Sequence, residues 1–206
     1  MIEVRFHTRK NRGGLEAARI LAAALRLAGC DASWFIPIGW ELAVIFEAAQ
    51  TKADKSSGKP RHSALAVFYP PLLEVPDTWM KFEHPDLVLI NTRDILEALD
   101  LCGGERVAVV DASGIASDVG PCYGIPSLVA PMLGALAAAG NIVLGMHLIH
   151  ALKETARAFK ISQRDLDCLM RALEAGYDTV RIRGGKLHER ELAGAGGAIA
   201  SNAHHG

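Results

Sequence analysis

The sequence predicts a three-layer α/β/α domain built on a mixed, largely parallel sheet. Three observations predict it. Strand-like apolar runs alternate along the chain with segments of helical period. The first junction is a strand, then a glycine-ended loop, then a helix. Two later runs, 86–90 and 105–111, are short and apolar at their centres, as strands covered on both faces are. Strands that alternate with helices need helices on both faces of the sheet. At 206 residues, half of them apolar, the chain is long enough for one well-buried domain and short for two.

The elements follow in order. Residues 2–6 (IEVRF) alternate apolar and charged side chains and read as a strand. Residues 7–14 form a polar loop ending in two glycines. Over 15–28, Leu15, Ala18, Leu21, Ala22, Leu25 and Ala28 share one helical face, and Gly29 supplies the stop. Strands at 32–36 and 42–46 are split by a turn at 37–39, which suits an antiparallel pair. Residues 50–62 (QTKADKSSGKPRH) are polar and read as a solvent loop. A strand at 63–69 ends at Pro70 and Pro71, and the buried parallel strand at 86–90 follows Pro85. Residues 93–101 read as a helix and 105–111 (ERVAVVD) as another buried strand.

The remainder is mainly helical. Residues 127–139 are small and apolar, and 143–159 carry Leu144, Leu148, Ile149 and Leu152 at helix spacing. Ser162 opens a capped start in which its hydroxyl accepts from the Asp165 amide. Leu166, Leu169, Met170 and Leu173 then share a face until Gly176. From Ile182 onward the chain is glycine, alanine and charge, expected to be mobile or draped over a partner. The expected organisation is a domain at 1–182 and a flexible tail at 183–206.

Several function classes are disfavoured. A formal charge of -1 argues against a chain whose main business is nucleic acid. Residues 1–10 lack the apolar core of a secretory signal, so a cytoplasmic location is expected. Residues 119–146 carry no charge, but Pro121, Pro126, Pro131 and five glycines interrupt them. A buried helix pair explains that composition better than a membrane span. Cys30, Cys102, Cys122 and Cys168 form no C-x-x-C pair and read as reduced, mostly buried thiols. Their spacing argues against an iron–sulfur cluster held within this chain.

The loop after the first strand is the prime candidate site, because ligands in open α/β sheets sit beyond the carboxyl ends of the strands. It reads His7-Thr8-Arg9-Lys10-Asn11-Arg12-Gly13-Gly14. Backbone amides at the helix start and the cations Arg9, Lys10 and Arg12 suit an anion, with arginine supplying paired contacts to phosphate or carboxylate. A solvated turn whose cations serve solubility or a partner's acidic face is the ordinary alternative. His147 and His150 with Cys168 have the composition of a metal site, although a packed helix face explains the histidines better. Asp111 ends a strand, where it can meet a ligand or cap the next turn. His204 and His205 read as solvent-exposed tail residues. No nucleophile–base pair has a spacing that demands catalysis, so no catalytic residue is assigned.

Residues 4–22 (VRFHTRKNRGGLEAARILA) resemble the opening of the gamma subunit of thiamine-diphosphate-dependent 2-oxoacid:ferredoxin oxidoreductases. That family's opening reads R-F-H-G-R-G-G-Q-G before an alanine- and leucine-rich helix. Arg5, Phe6, His7, Arg9, Gly13, Ala17 and Ala18 match without a gap. Further along, 84–90 (HPDLVLI) resembles the family's P-D-V-V-I strand, 107–116 (VAVVDASGIA) its V-D-A-T-x-I-A segment, and 132–136 (MLGAL) its M-L-G-A-L helix. Thr8, Lys10, Asn11 and Arg12 stand where the family has G, G, G and Q. In a second segment, S-Y-G-P-E-x-R-G-G, only Gly39 and Glu41 are kept.

The resemblance implies a subunit that carries no cofactor of its own and helps wall an active site. Thiamine diphosphate, Mg and iron–sulfur clusters are then expected in partner alpha, beta and ferredoxin-like delta subunits, with ferredoxin or another electron acceptor reached indirectly. Coenzyme A is expected at the interface near Arg9, Lys10, Asn11, Arg12, Gly13 and Gly14. Two alternatives stand beside it: a coenzyme A-independent, oxalate-type relative whose basic loop fills the coenzyme A position, and a stand-alone phosphate-ligand module.

Overall fold

The computed structural model describes residues 2–8, 13–35, 41–48, 62–74, 85–102 and 106–183. Seven strands form one sheet in the order β2-β3-β1-β4-β5-β6-β7. They are β1 (Ile2–His7), β2 (Cys30–Phe35), β3 (Glu41–Ala48), β4 (His62–Val67), β5 (Leu87–Asn91), β6 (Val107–Val110) and β7 (Arg181–Arg183). The middle strands β1, β4, β5 and β6 are parallel neighbours. Antiparallel pairs flank them: β3 on β1, β2 on β3, and β7 on β6. Because β2 reverses β3, which reverses β1, five of the seven strands point the same way. The sheet is mixed and largely parallel, and β2 and β3 are the expected antiparallel pair.

Side-chain alternation divides the sheet into two faces. Val4 and Phe6 of β1, Ala64 and Ala66 of β4, Leu87 and Leu89 of β5, and Ala108 and Val110 of β6 join the larger core. Over that face pack α1 (Gly14–Leu27), α4 (Val129–Gly140), α5 (Gly145–Ala158) and α6 (Gln163–Thr179). On the opposite face Leu65, Val67, Val88, Ile90, Val107 and Val109 meet α2 (Ile95–Cys102) and the 3₁₀ turn Pro70–Glu74. Helical elements on both sides make three layers. Glu3, Arg5 and His7 of β1 share the second face, where Arg5 Nε pairs with Glu3 Oε1 at 2.7 Å.

Helix α4 explains the charge-free segment. Met132, Leu133 and Leu136 are almost fully buried within this chain, each burial worth about 2 kcal/mol relative to water. Helix α6 crosses it at very short range. A Cβ on Gly176 would lie 2.6 Å from Pro131 Cα, and one on Gly134 would lie 2.9 Å from the Tyr177 amide nitrogen. Gly176 therefore does not stop its helix as expected; α6 continues to Thr179, and the glycine admits the neighbouring backbone. The apolarity of 119–146 is spent largely inside the chain, while Tyr123, Leu144 and Met146 at its ends are exposed.

Local capping sets several boundaries. Ser162 Oγ accepts from the Asp165 amide at 3.1 Å, as expected. The helix expected from residue 93 begins at Ile95, because Thr92 Oγ1 accepts from the Asp94 amide and Asp94 Oδ1 from the Leu96 amide. His62 opens β4 rather than closing a loop. Ile182 and Arg183, read as the start of a mobile tail, pair with Ala108 and Val107 in β7. Exposed arginines hid that strand, since an edge strand needs no apolar alternation. Among the described residues, no helix is long and apolar enough to cross a membrane.

Candidate functional site

The carboxyl ends of β1, β4, β5 and β6 share one edge of the sheet. After β1 the chain passes into α1 on the first face and on to β2 at one end of the sheet. After β4 it passes through the 3₁₀ turn on the second face towards β5. The two connections diverge to opposite faces and opposite directions. Open α/β sheets place ligands at such a switch, which here falls between β1 and β4.

The candidate loop starts and ends there. Thr8 is buried directly after β1. Gly13 precedes α1 with φ 98° and no side-chain cap on the first turn. That left-handed conformation favours glycine, and packing favours it again. A Cβ at this position would sit 3.2 Å from Pro126 Cβ and closer still to Val129 Cγ2. The start of α4 therefore presses directly on the loop's end. Gly14 begins α1 and is buried. Arg9, Lys10, Asn11 and Arg12 lie outside the described residues, as do Gly39 and residues 184–206 with His204 and His205.

A continuous set of hydrogen bonds holds this edge. The Phe68 amide donates to the His7 carbonyl at 2.9 Å. Asn91 Nδ2 donates to the Phe68 carbonyl at 3.1 Å and to Ser113 Oγ at 3.0 Å. The Ser113 amide returns a bond to Asn91 Oδ1 at 3.1 Å. The strand ends are thus tied to one another and to α3 (Ala112–Val119). Beneath them the rings of Phe6 and Phe68 meet edge to face with centroids 6.0 Å apart. His7, buried under the same edge, has its pKa lowered to about 4 by burial first and by the Arg5 cation second. It is neutral at pH 7.

Asp111 takes the capping role. Its Oδ1 accepts from the Gly114 amide at 2.8 Å, and its Oδ2 meets Arg93 Nε at 2.5 Å. Sequence reasoning did not single out Asn91 or Arg93. The only signal for Asn91 was a polar residue closing an apolar strand, and Arg93 gave none. The His147, His150 and Cys168 grouping does not assemble as a metal site. His150 is exposed and 4.0 Å from Glu154, while Cys168 Sγ accepts from Arg171. Among the described residues, no cluster of three or more metal-ligating side chains occurs.

No protein-family model matches the chain. Curated relatives do. The common gamma subunit of pyruvate/ketoisovalerate oxidoreductases from Thermococcus kodakarensis is 32% identical over 75% of this chain and 86% of its own length. Pyruvate synthase subunit PorC from Methanothermobacter thermautotrophicus is 31% identical over 84% of this chain and 95% of its own. This chain belongs to the gamma-subunit family of pyruvate/2-oxoacid oxidoreductases.

As a gamma subunit it is one component of a multisubunit oxidoreductase. The solved pyruvate oxidoreductase subunit PorC of Thermotoga maritima shares its fold, with a TM-score of 0.67 and 24% identity over 88% of this chain and 97% of that one. The gamma subunit of a keto/oxoacid ferredoxin oxidoreductase from Geobacter sulfurreducens gives a TM-score of 0.61 at 16% identity, over 86% and 97%. Neither the oxalate-type alternative nor the stand-alone phosphate module has support among these relatives.

Proposed function

We propose that this gamma subunit serves a complex that oxidatively decarboxylates a 2-oxoacid of the pyruvate class, and that its loop at 8–14 forms the coenzyme A side of the shared active site. The observation that carries the reading is Gly13: a left-handed, uncapped entry to α1, beside the β1–β4 divergence and packed against Pro126 and Val129. Amides at such an entry favour an anion. Arg9, Lys10 and Arg12 supply cations in the same short loop, and guanidinium pairs with phosphate through two parallel hydrogen bonds. Where relatives of this type carry glycines, side-chain cations replace backbone amides as phosphate contacts. Asn11 contributes a neutral donor, and Gly14 adds a backbone amide at the helix start.

The chemistry itself belongs to partner subunits in this reading. Alpha and beta subunits hold thiamine diphosphate and Mg, and a ferredoxin-like delta subunit holds the iron–sulfur clusters that pass electrons to ferredoxin or another acceptor. The four cysteines here, spread from Cys30 to Cys168, suit a chain that leaves clusters to others. In this reading the assembly works in the cytoplasm.

Calorimetric titration of coenzyme A into the assembled complex tests the loop. Arg9→Ala and Arg12→Ala should each weaken binding about tenfold, the value of one charge-assisted contact. Unchanged affinity in both variants removes the coenzyme A role.

A further inference from the structure

Three segments meet at one corner of the molecule: the connection from α3 to α4, the end of α5 and the start of α6. The Tyr123 amide donates to Asp165 Oδ1 at 3.2 Å, and a Cβ on Gly124 would lie 3.0 Å from Ile161 Cγ1. Two large side chains stand out from this corner. Tyr123 is 74% exposed and Phe159 48%. Between residues 153 and 165 the chain also carries Lys153, Arg157, Lys160 and Arg164, all of them exposed. The acids of that stretch are already engaged. Arg157 Nη1 donates to Glu154 Oε1, while Asp165 accepts from Ser162 Oγ at 2.6 Å as well as from the Tyr123 amide. Among the described residues, Lys153 and Lys160 make no ion pair.

Two of these cations stand where the helix ends favour something else. Lys160 has φ 54°, in the left-handed region. Its amide donates to the Arg157 carbonyl at 3.1 Å, and the Ile161 amide to the Ala156 carbonyl at 2.9 Å. That pair of bonds closes α5 around a position where glycine is the usual residue. Arg164 puts a cation in the first turn of α6, beside the positive end of the helix dipole, where an acid is favoured. A carboxylate from outside the chain offsets the charge at 164 and engages the long side chain at 160.

We propose that this corner docks an acidic surface of another subunit of the oxidoreductase complex, with Tyr123 and Phe159 as its apolar anchors. Protein interfaces place aromatic side chains at their centre and charges around the rim, and this corner offers both. Charge selects the occupant. A second copy of this chain would meet the patch with the same patch across a twofold axis, setting cation against cation. A different subunit that presents carboxylates gains attraction at Lys153, Lys160 and Arg164 and covers the two rings, and such complementary charges fix the register of docking. The proposal rests on membership of the gamma-subunit family, and the loop at 8–14 has no part in it.

The test uses the full chain in its assembled complex. A zero-length carbodiimide joins an amine to a carboxylate that touches it, and mass spectrometry of the digest maps the products. The expected result is a peptide joining Lys153 or Lys160 to an Asp or Glu of another subunit. Lys160→Glu combined with Arg164→Glu should raise the subunit dissociation constant, read by mass photometry on dilution, by about tenfold or more. Tyr123→Ala combined with Phe159→Ala should do the same. Lys160→Arg keeps the charge and should assemble like the wild type while losing any crosslink at 160. Circular dichroism checks that each variant is folded, and the wild-type crosslink map needs no variant. Absence of these crosslinks, crosslinks that reach only this chain or a second copy of it, or an unchanged dissociation constant in both double variants overturns the proposal. None of these readouts depends on coenzyme A binding, so failure here and failure of the loop's proposed role are separable.

Discussion

Replacing Gly176 by alanine sets two opposing effects against each other within α6. In an exposed helix interior the change stabilises by about 1 kcal/mol, because glycine is the poorer helix former. Here the added methyl would sit 2.6 Å from Pro131 Cα, with the Pro131 carbonyl closer still. An ordinary carbon–carbon contact needs about 3.5 Å or more, so α4 and α6 must separate by roughly 1 Å. The obstacle is backbone, which has no rotamer to swing aside, and Gly134 marks the same crossing from the other helix. Overpacking at such a site costs about 3 kcal/mol, the upper end of its usual range, leaving a net loss of about 2 kcal/mol. For a domain of this size that lowers Tm by roughly 4–8 °C. Thermal unfolding by circular dichroism, on the chain alone and in its complex, measures it. Gly145→Ala is the control, since nothing lies within 4 Å of its added Cβ. A Gly176→Ala chain that melts at or above the wild-type temperature would refute the close-crossing argument.

Other outcomes follow from the carboxyl edge. Gly13→Ala should destabilise by about 2–4 kcal/mol, from the left-handed φ plus the collision with Val129 and Pro126. It should also weaken coenzyme A binding, and a variant with normal urea midpoint and normal affinity would contradict both roles. Asn91→Ala removes the bonds to the Phe68 carbonyl and Ser113 and should cost about 2–3 kcal/mol in urea denaturation; a loss under 0.5 kcal/mol on the same scale would mean the edge is not tied through this side chain. His7 makes stability depend on pH. Its folded pKa of about 4 lies below the unfolded 6.5, so the unfolded chain binds the extra proton between those values. Stability is therefore full above pH 6.5 and falls as pH drops towards 4, by about 3 kcal/mol in all. His7→Gln should flatten that limb, and an unchanged acid limb would assign it to other groups.

Much of the fold was legible because its signals are local. The buried run 86–90, the hydroxyl of Ser162 and the apolar face from Leu15 to Ala28 each declare an element within a few residues. The candidate loop was legible for the same reason: cations, two glycines and a helix start are consecutive. The glycine at 176 was read as a stop, because a short-range rule has no knowledge of a helix crossing from forty residues away. Strand β7 was missed because its residues are exposed, and pairing with β6 replaces the pattern that would have announced it.

What the sequence alone determined was most of the succession of elements, the spacing of the cysteines along the chain and the place of the basic loop between the first strand and its helix. Those follow from periodicity, capping and spacing, which act along the chain. Only the tertiary structure decided which strands are neighbours, that the connections after β1 and β4 diverge, and that Val129 leans on Gly13. It alone joined Asn91 to Ser113. The physical reason is that packing selects partners by shape and burial across long separations, which no local pattern encodes.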